Sequence, residues 1–192
     1  MTRILSIFLI AALAGCSGGG SNIEAIYTIN ALESVPSSRG TTAQLLVPEP
    51  RALESLSSSR IPVKPTASTL SYYPAVALED SAPKVIQRVL LDTFQNTGRV
   101  KAVGLPGQSL LINYQVVTEV RAFQAETFGV DVARVELTAK ILNDSNGRVV
   151  ADRIFVTVVP MSGDSAGSAA DGLNRASQAL AADVVAWTLA TI

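Results

Sequence analysis

In the second half of the chain, apolar and polar residues alternate almost one for one. Leu110, Ile112, Tyr114, Val116, Thr118, Val120 and Ala122 share one parity, and Asn113, Gln115, Glu119 and Arg121 share the other. A period of two places successive side chains on opposite faces, so this stretch predicts a half-buried strand. A second strand is expected where Val135, Leu137, Ala139 and Ile141 alternate with Arg134, Glu136, Thr138 and Lys140. Asn143-Asp144-Ser145-Asn146-Gly147 then reads as a turn, and Val149–Val159 as the returning third strand. The three form an antiparallel meander with one wet face.

Two segments carry the helical period instead. Val85, Ile86, Val89, Leu90 and Phe94 recur on one face, behind a start signal at Asp80, Ser81 and Pro83 and ahead of a stop at Gly98. Leu173, Ala176, Leu180, Val184 and Trp187 mark a C-terminal helix, preceded by a small, polar loop at Ser162–Ser168. The first half is broken up, with eight of the nine prolines before Leu110. Its expected strands are short: Ala25–Ile29, Ala43–Val47, Ile61–Lys64 and Leu70–Tyr73, with a helical turn or two over Arg51–Leu56. These elements predict an α+β fold in which a mainly antiparallel or mixed sheet carries two amphipathic helices on one face.

The N-terminus is a different object. Arg3 precedes an apolar run over Ile4–Leu13, about half of the roughly 20 residues needed to cross a bilayer, so the run reads as an export signal. Leu13-Ala14-Gly15-Cys16 resembles the bacterial lipobox, which implies removal of residues 1–15 and acylation of Cys16. Two or more acyl chains hold a protein on a membrane stably where one does not. Ser17 follows the cysteine where lipoproteins retained at the inner membrane commonly carry Asp, which implies the outer membrane. Residues 16–22 then form a lipidated cysteine and a flexible Ser/Gly-rich tether, and 23–192 a single domain.

Composition narrows the chemistry. The chain has no His and one Cys, so a Ser-His-Asp triad, a His-ligated zinc and an internal disulfide cannot be built from it. With 15 Lys+Arg against 16 Asp+Glu it offers no basic footprint for nucleic acid. Gly163-Asp164-Ser165-Ala166-Gly167 fits the G-x-S-x-G string, but Ser165 has no histidine to take its proton. Ser81-Ala82-Pro83-Lys84 fits S-x-x-K, yet its proline suits a helix start. Glu79 and Asp80 suit a helix N-terminus, and Asp144 and Asp152 flank a hairpin without the ligand spacing of a calcium loop. Tyr72-Tyr73 reads as strand-end packing. No catalytic, metal-ligating or cofactor-binding residue is expected, and Cys16 alone is assigned a chemical role.

The order of motifs is itself distinctive: the lipobox, Tyr27 in a first strand, Leu45-Leu46-Val47-Pro48-Glu49-Pro50, Arg60-Ile61-Pro62-Val63, then Leu70-Ser71-Tyr72-Tyr73-Pro74 leading to Pro83 and a helix. This sequence of elements resembles the ABC-type transport auxiliary lipoprotein component family. The family often has a tryptophan between the tyrosine-bearing strand and the helix proline, where this chain has Leu78. The resemblance implies a non-catalytic accessory lipoprotein of an ABC transporter of the mammalian-cell-entry (MCE) type, which moves phospholipid or other hydrophobic cargo across a Gram-negative envelope. Its implied partners are a periplasmic MCE-domain subunit, contacted through sheet edges or loops away from Cys16, together with a separate permease and ATPase. A lipid-carrying lipoprotein, and an assembly factor for cell-wall synthases or secretion pores, are the alternatives.

Overall fold

The computed structural model describes residues 22–35 and 39–192. The signal run, Cys16 and the tether up to residue 21 lie outside the described residues. The strands are β1 (Ala25–Tyr27), β2 (Gln44–Leu46), β3 (Arg51–Ala52), β4 (Pro62–Thr66), β5 (Thr69–Tyr72), β6 (Val76–Leu78), β7 (Ala102–Gly104), β8 (Tyr114–Glu126), β9 (Val132–Asn143) and β10 (Val149–Pro160). The helices are α1 (Ala82–Thr97) and α2 (Ala166–Thr191).

The architecture is α+β, as the periodicities predict. β8, β9 and β10 form the antiparallel meander, in the order β10-β9-β8. The other side of β8 is lined by a strand in three pieces, all parallel to it: β2 pairs at Tyr114, β3 at Glu119 and β4 at Ala125. Prolines and short turns explain why this side is segmented while the meander is continuous. β7 adds outside β2 and β5 outside β4, so the sheet is mixed. β1 and β6 make a separate parallel pair.

The third predicted strand matches β10 closely, whereas the first is displaced from 110–122 to 114–126. Residues 105–113 are held as a loop in which Ser109 adopts φ 53°, and the Gln44 amide donates to Asn113 Oδ1 at 2.8 Å. A register shift between Val120 and Ala122 then lets Val120 and Phe123 both face the core. The turn over 51–56 is a short strand followed by a 3-10 turn at Glu54–Leu56.

Both helices lie on one face of the sheet. Val116, Val120 and Phe123 of β8 and Val135 and Leu137 of β9 meet Val85, Ile86, Leu90 and Phe94 of α1 and Leu173, Leu180 and Val184 of α2, all fully or almost fully buried. Side chains of this size contribute about 1.5–3 kcal/mol each on burial, and they fill the space between the layers. α1 ends at Gly98, whose φ of 58° suits a residue without Cβ. α2 begins seven residues before Leu173, because Ser165 caps a turn of small residues that the sequence pattern assigned to loop.

The N-terminal segment crosses the helices. Glu24 N–H donates to Ala75 O at 2.7 Å, Asn30 N–H to Asn174 Oδ1 at 2.8 Å, and Asn96 Nδ2 to Leu32 O at 2.6 Å. The chain therefore enters beside the start of α2 and runs toward its C-terminus.

Candidate functional site

The motifs with catalytic spelling have structural duties. Ser165 Oγ accepts the Ser168 N–H at 3.2 Å, the arrangement of a helix N-cap, and Ser168 Oγ stands 2.9 Å from Ser162 Oγ. Lys84 pairs with Asp80 at 3.5 Å across one helical turn, and Ser81 is the extended residue that opens α1. Glu79 does not serve the helix end. Its Oε1 accepts the Ile29 N–H at 3.2 Å, tying the N-terminal segment to the chain before α1. Asp144 accepts Gln115 Nε2 at 2.6 Å, whereas Asp152 is exposed on β10. Among the described residues, no group of three or more His, Cys, Asp or Glu side chains converges on a possible cation position. Among the same residues, no helix is long and apolar enough to cross a membrane. Leu78 is buried in the core.

The adjacent tyrosines diverge. Tyr72 O–H donates to Ser55 O at 3.0 Å, and the Arg60 guanidinium lies 3.7 Å above its ring centre. Tyr73 O–H donates to Asp164 O at 2.8 Å, locking the loop before α2 to the end of β5. Burial, and then the carboxylates of Asp164 and Asp131, push the Tyr73 phenol above its ordinary 10.0. This sets a proton at a packing contact and builds no reactive pair.

The unusual surface is β10. It is a sheet edge, paired only with β9, so the peptide groups of its other side have no strand partner. Its buried side holds Phe155, which meets Trp187 of α2 edge-on at 5.5 Å. On its open side Val150, Ile154, Val156 and Val158 remain 42–55% exposed, interrupted by Asp152. The neighbouring strands show polar groups on that same face: Arg134, Glu136, Thr138 and Lys140 of β9 stand opposite Val158, Val156, Ile154 and Asp152. Arg121 pairs with Glu136 at 3.2 Å, and Arg134 with Glu126 at 2.9 Å. The result is an aliphatic row of β-branched side chains along a free edge, bordered by ion pairs.

The signal for this row was present in the sequence: over Val150–Val159 both parities are largely apolar, unlike the two preceding strands. Apolar residues on both parities also fit a strand buried on both faces, and it is the place of β10 at the sheet edge that makes the second set a surface.

The curated protein bll6063 of Bradyrhizobium diazoefficiens, itself uncharacterized, is 26% identical over 186 residues, which is 96% of this chain and 50% of that protein, so the chain spans half the length of this relative. The crystal structure of protein XCC0632 from Xanthomonas campestris superposes with a TM-score of 0.81 at 28% identity, covering 86% of this chain and 95% of that one. The PelC dodecamer of Paraburkholderia phytofirmans shares the fold at a TM-score of 0.52 and 15% identity, over 79% of this chain and 91% of its own. The family model for ABC-type transport auxiliary lipoprotein components matches residues 27–185, from β1 to the last turns of α2, and the chain belongs to that family.

Proposed function

We propose that the protein is an outer-membrane lipoprotein, acylated at Cys16 after removal of residues 1–15. Its domain at 23–192 acts without catalysis, by docking onto the periplasmic subunit of an MCE-type ABC transporter for phospholipid or other hydrophobic cargo. The permease and ATPase are separate chains. Membership of the auxiliary lipoprotein family supports association with an ABC transporter. The observation that carries the docking role is the free edge of β10 with Val150, Ile154, Val156 and Val158. An edge strand can extend a partner's sheet through main-chain hydrogen bonds, while alternate side chains select the partner. Apolar residues of this density at an exposed edge invite aggregation unless something covers them. A carrier role for the domain fits less well, because Phe94, Phe123, Leu90 and Leu137 fill the space between helices and sheet that an acyl chain would need.

The test is affinity purification of the mature lipoprotein from solubilised envelopes, with Ile154→Lys/Val156→Lys as the comparison. Recovery of an MCE-domain subunit with the parent and its loss with the doubly substituted protein is the expected result. Both side chains are about half exposed, so the fold should survive, as the fluorescence of Trp187 would report. Equal recovery with both proteins would remove β10 from the interface.

A further inference from the structure

One end of the domain combines three features. The described chain enters there at Asn22, two residues before Glu24 bonds Ala75. α2 starts there, held by the Tyr73–Asp164 bond. The loop of residues 127–131, which joins β8 to β9, lies there too, since Met161 N–H, just before α2, donates to Asp131 O at 2.9 Å. From that loop project Phe128 and Val130, 43% and 79% exposed, on either side of Gly129 at φ 117°. Ile23, 54% exposed, flanks the chain entry. Short loops between antiparallel strands usually carry polar residues, so two bulky apolar side chains held out at a tip need a separate explanation.

We propose that this end rests on a zwitterionic lipid surface, with Phe128 and Val130 seated at the boundary between headgroups and acyl chains. The inference rests on the lipid-anchor reading above and adds a defined orientation to it. The six residues from Ser17 to Asn22 reach at most roughly 20 Å when fully stretched, and they end at Asn22, so an acylated Cys16 keeps this end close to the bilayer. At that effective concentration a small apolar contact suffices to hold the domain down. An aromatic ring with an aliphatic neighbour suits the interfacial zone. Charge selects the kind of lipid: Glu24, Asp131 and Asp164 lie at this end, with Lys64 next to the loop through the Thr127 N–H to Lys64 O bond. An acidic surface gains nothing from anionic lipid, so the contact is apolar and the lipid zwitterionic. The opposite end, where Leu111 is 84% exposed and its carbonyl accepts Gln44 Nε2, then faces away from the membrane, and β10 stands upright beside it.

The test uses the acylated mature protein in phosphatidylcholine vesicles with brominated acyl chains, which quench indole at the acyl boundary. Val130→Trp and Leu111→Trp are each read against the parent, in which Trp187 is the single tryptophan. Loss of fluorescence from position 130 and none from position 111 is expected. Equal quenching at both positions, or quenching at 111 alone, overturns the orientation. Quenching at 130 that appears only after phosphatidylglycerol is added overturns the apolar contact. A second arm ties the chain from Ser17 onward, with an N-terminal hexahistidine, to nickel-chelating lipid in the same vesicles. If intact mass shows Cys16 unacylated, the anchor reading fails, while this arm still decides the seating of Phe128 and Val130.

Discussion

At Gly172 α2 lies close against β9, and replacing this glycine with alanine sets two effects against each other. A Cβ at position 172 would stand 2.8 Å from Ala133 Cβ on β9 and 3.0 Å from Met161 Cγ. Carbon atoms prefer about 3.5–4.0 Å, so the helix or the strand must withdraw by roughly 1 Å at this point. Overpacking of this kind costs about 1–3 kcal/mol, while exchanging glycine for alanine within a helix returns about 1 kcal/mol. The sum is a net loss of about 1 kcal/mol, or a midpoint lowered by about 2–4 °C in a chain of this size. Gly167 in the first turn of the same helix is the control: its added Cβ would lie 3.4 Å from Tyr27 Oη, near ordinary contact, so Gly167→Ala should leave stability unchanged or raise it by up to about 1 kcal/mol. Urea titration of the non-acylated mature chain, followed by Trp187 fluorescence, reads both variants. If Gly172→Ala matches or exceeds the parent, α2 is not seated this tightly on β9 and the packing argument is refuted.

Four other changes bear on the same account. Tyr73 holds its proton longer in the native state than in the unfolded chain, so the stability this group contributes is fully present below pH 10.0 and is lost as pH rises above it; Tyr73→Phe should flatten that decline in alkaline unfolding curves. Ser165→Ala removes the N-cap of α2 and should cost about 1 kcal/mol in urea unfolding, with partner recovery unchanged; a lost function at unchanged stability would revive Ser165 as a nucleophile. Ser177 Oγ and Thr118 Oγ1 are buried without a hydrogen-bond partner, and Ser177→Ala should raise thermal stability by about 1 kcal/mol, which a lower midpoint would disprove. Cys16→Ser should move the folded protein from the membrane fraction to the soluble periplasmic fraction, and retention on the membrane would point to a different anchor.

What was readable in the sequence depended on how far an element relies on its own residues. α1 announced itself through Ser81, Pro83, the stripe from Val85 to Phe94 and Gly98, because caps and periodicity are local. β9 and β10 were equally plain. By contrast, the first turns of α2 read as loop, since Gly167, Ser168 and Gly172 are poor helix formers; Gly172 is there for the approach to Ala133, a tertiary reason. β6 and β7 went unpredicted for the same cause. Three residues such as Val76–Leu78 carry no period, and they become strand only by pairing with β1. The strand predicted over 110–122 keeps its parity as far as Val120, where the register shift turns Phe123 inward, but not its ends, because the conformation of Ser109 and the Gln44–Asn113 bonds, invisible in a pattern, fix where β8 begins. The missing histidine argues against the G-x-S-x-G string and the helix-start proline against S-x-x-K, and the structure gives Ser165 and Lys84 specific structural partners. The aliphatic row on β10 is legible as excess apolar content but not as a surface, since only the sheet order makes β10 an edge.

If the protein works by contact through β10, a photo-activated crosslinking residue in place of Val156 should capture the partner in cells, with the same residue in place of the exposed Asp183 on α2 as comparison. An adduct from position 156 that contains an MCE-domain subunit, and none from position 183, is the expected result. An adduct from 183 with none from 156 would contradict it.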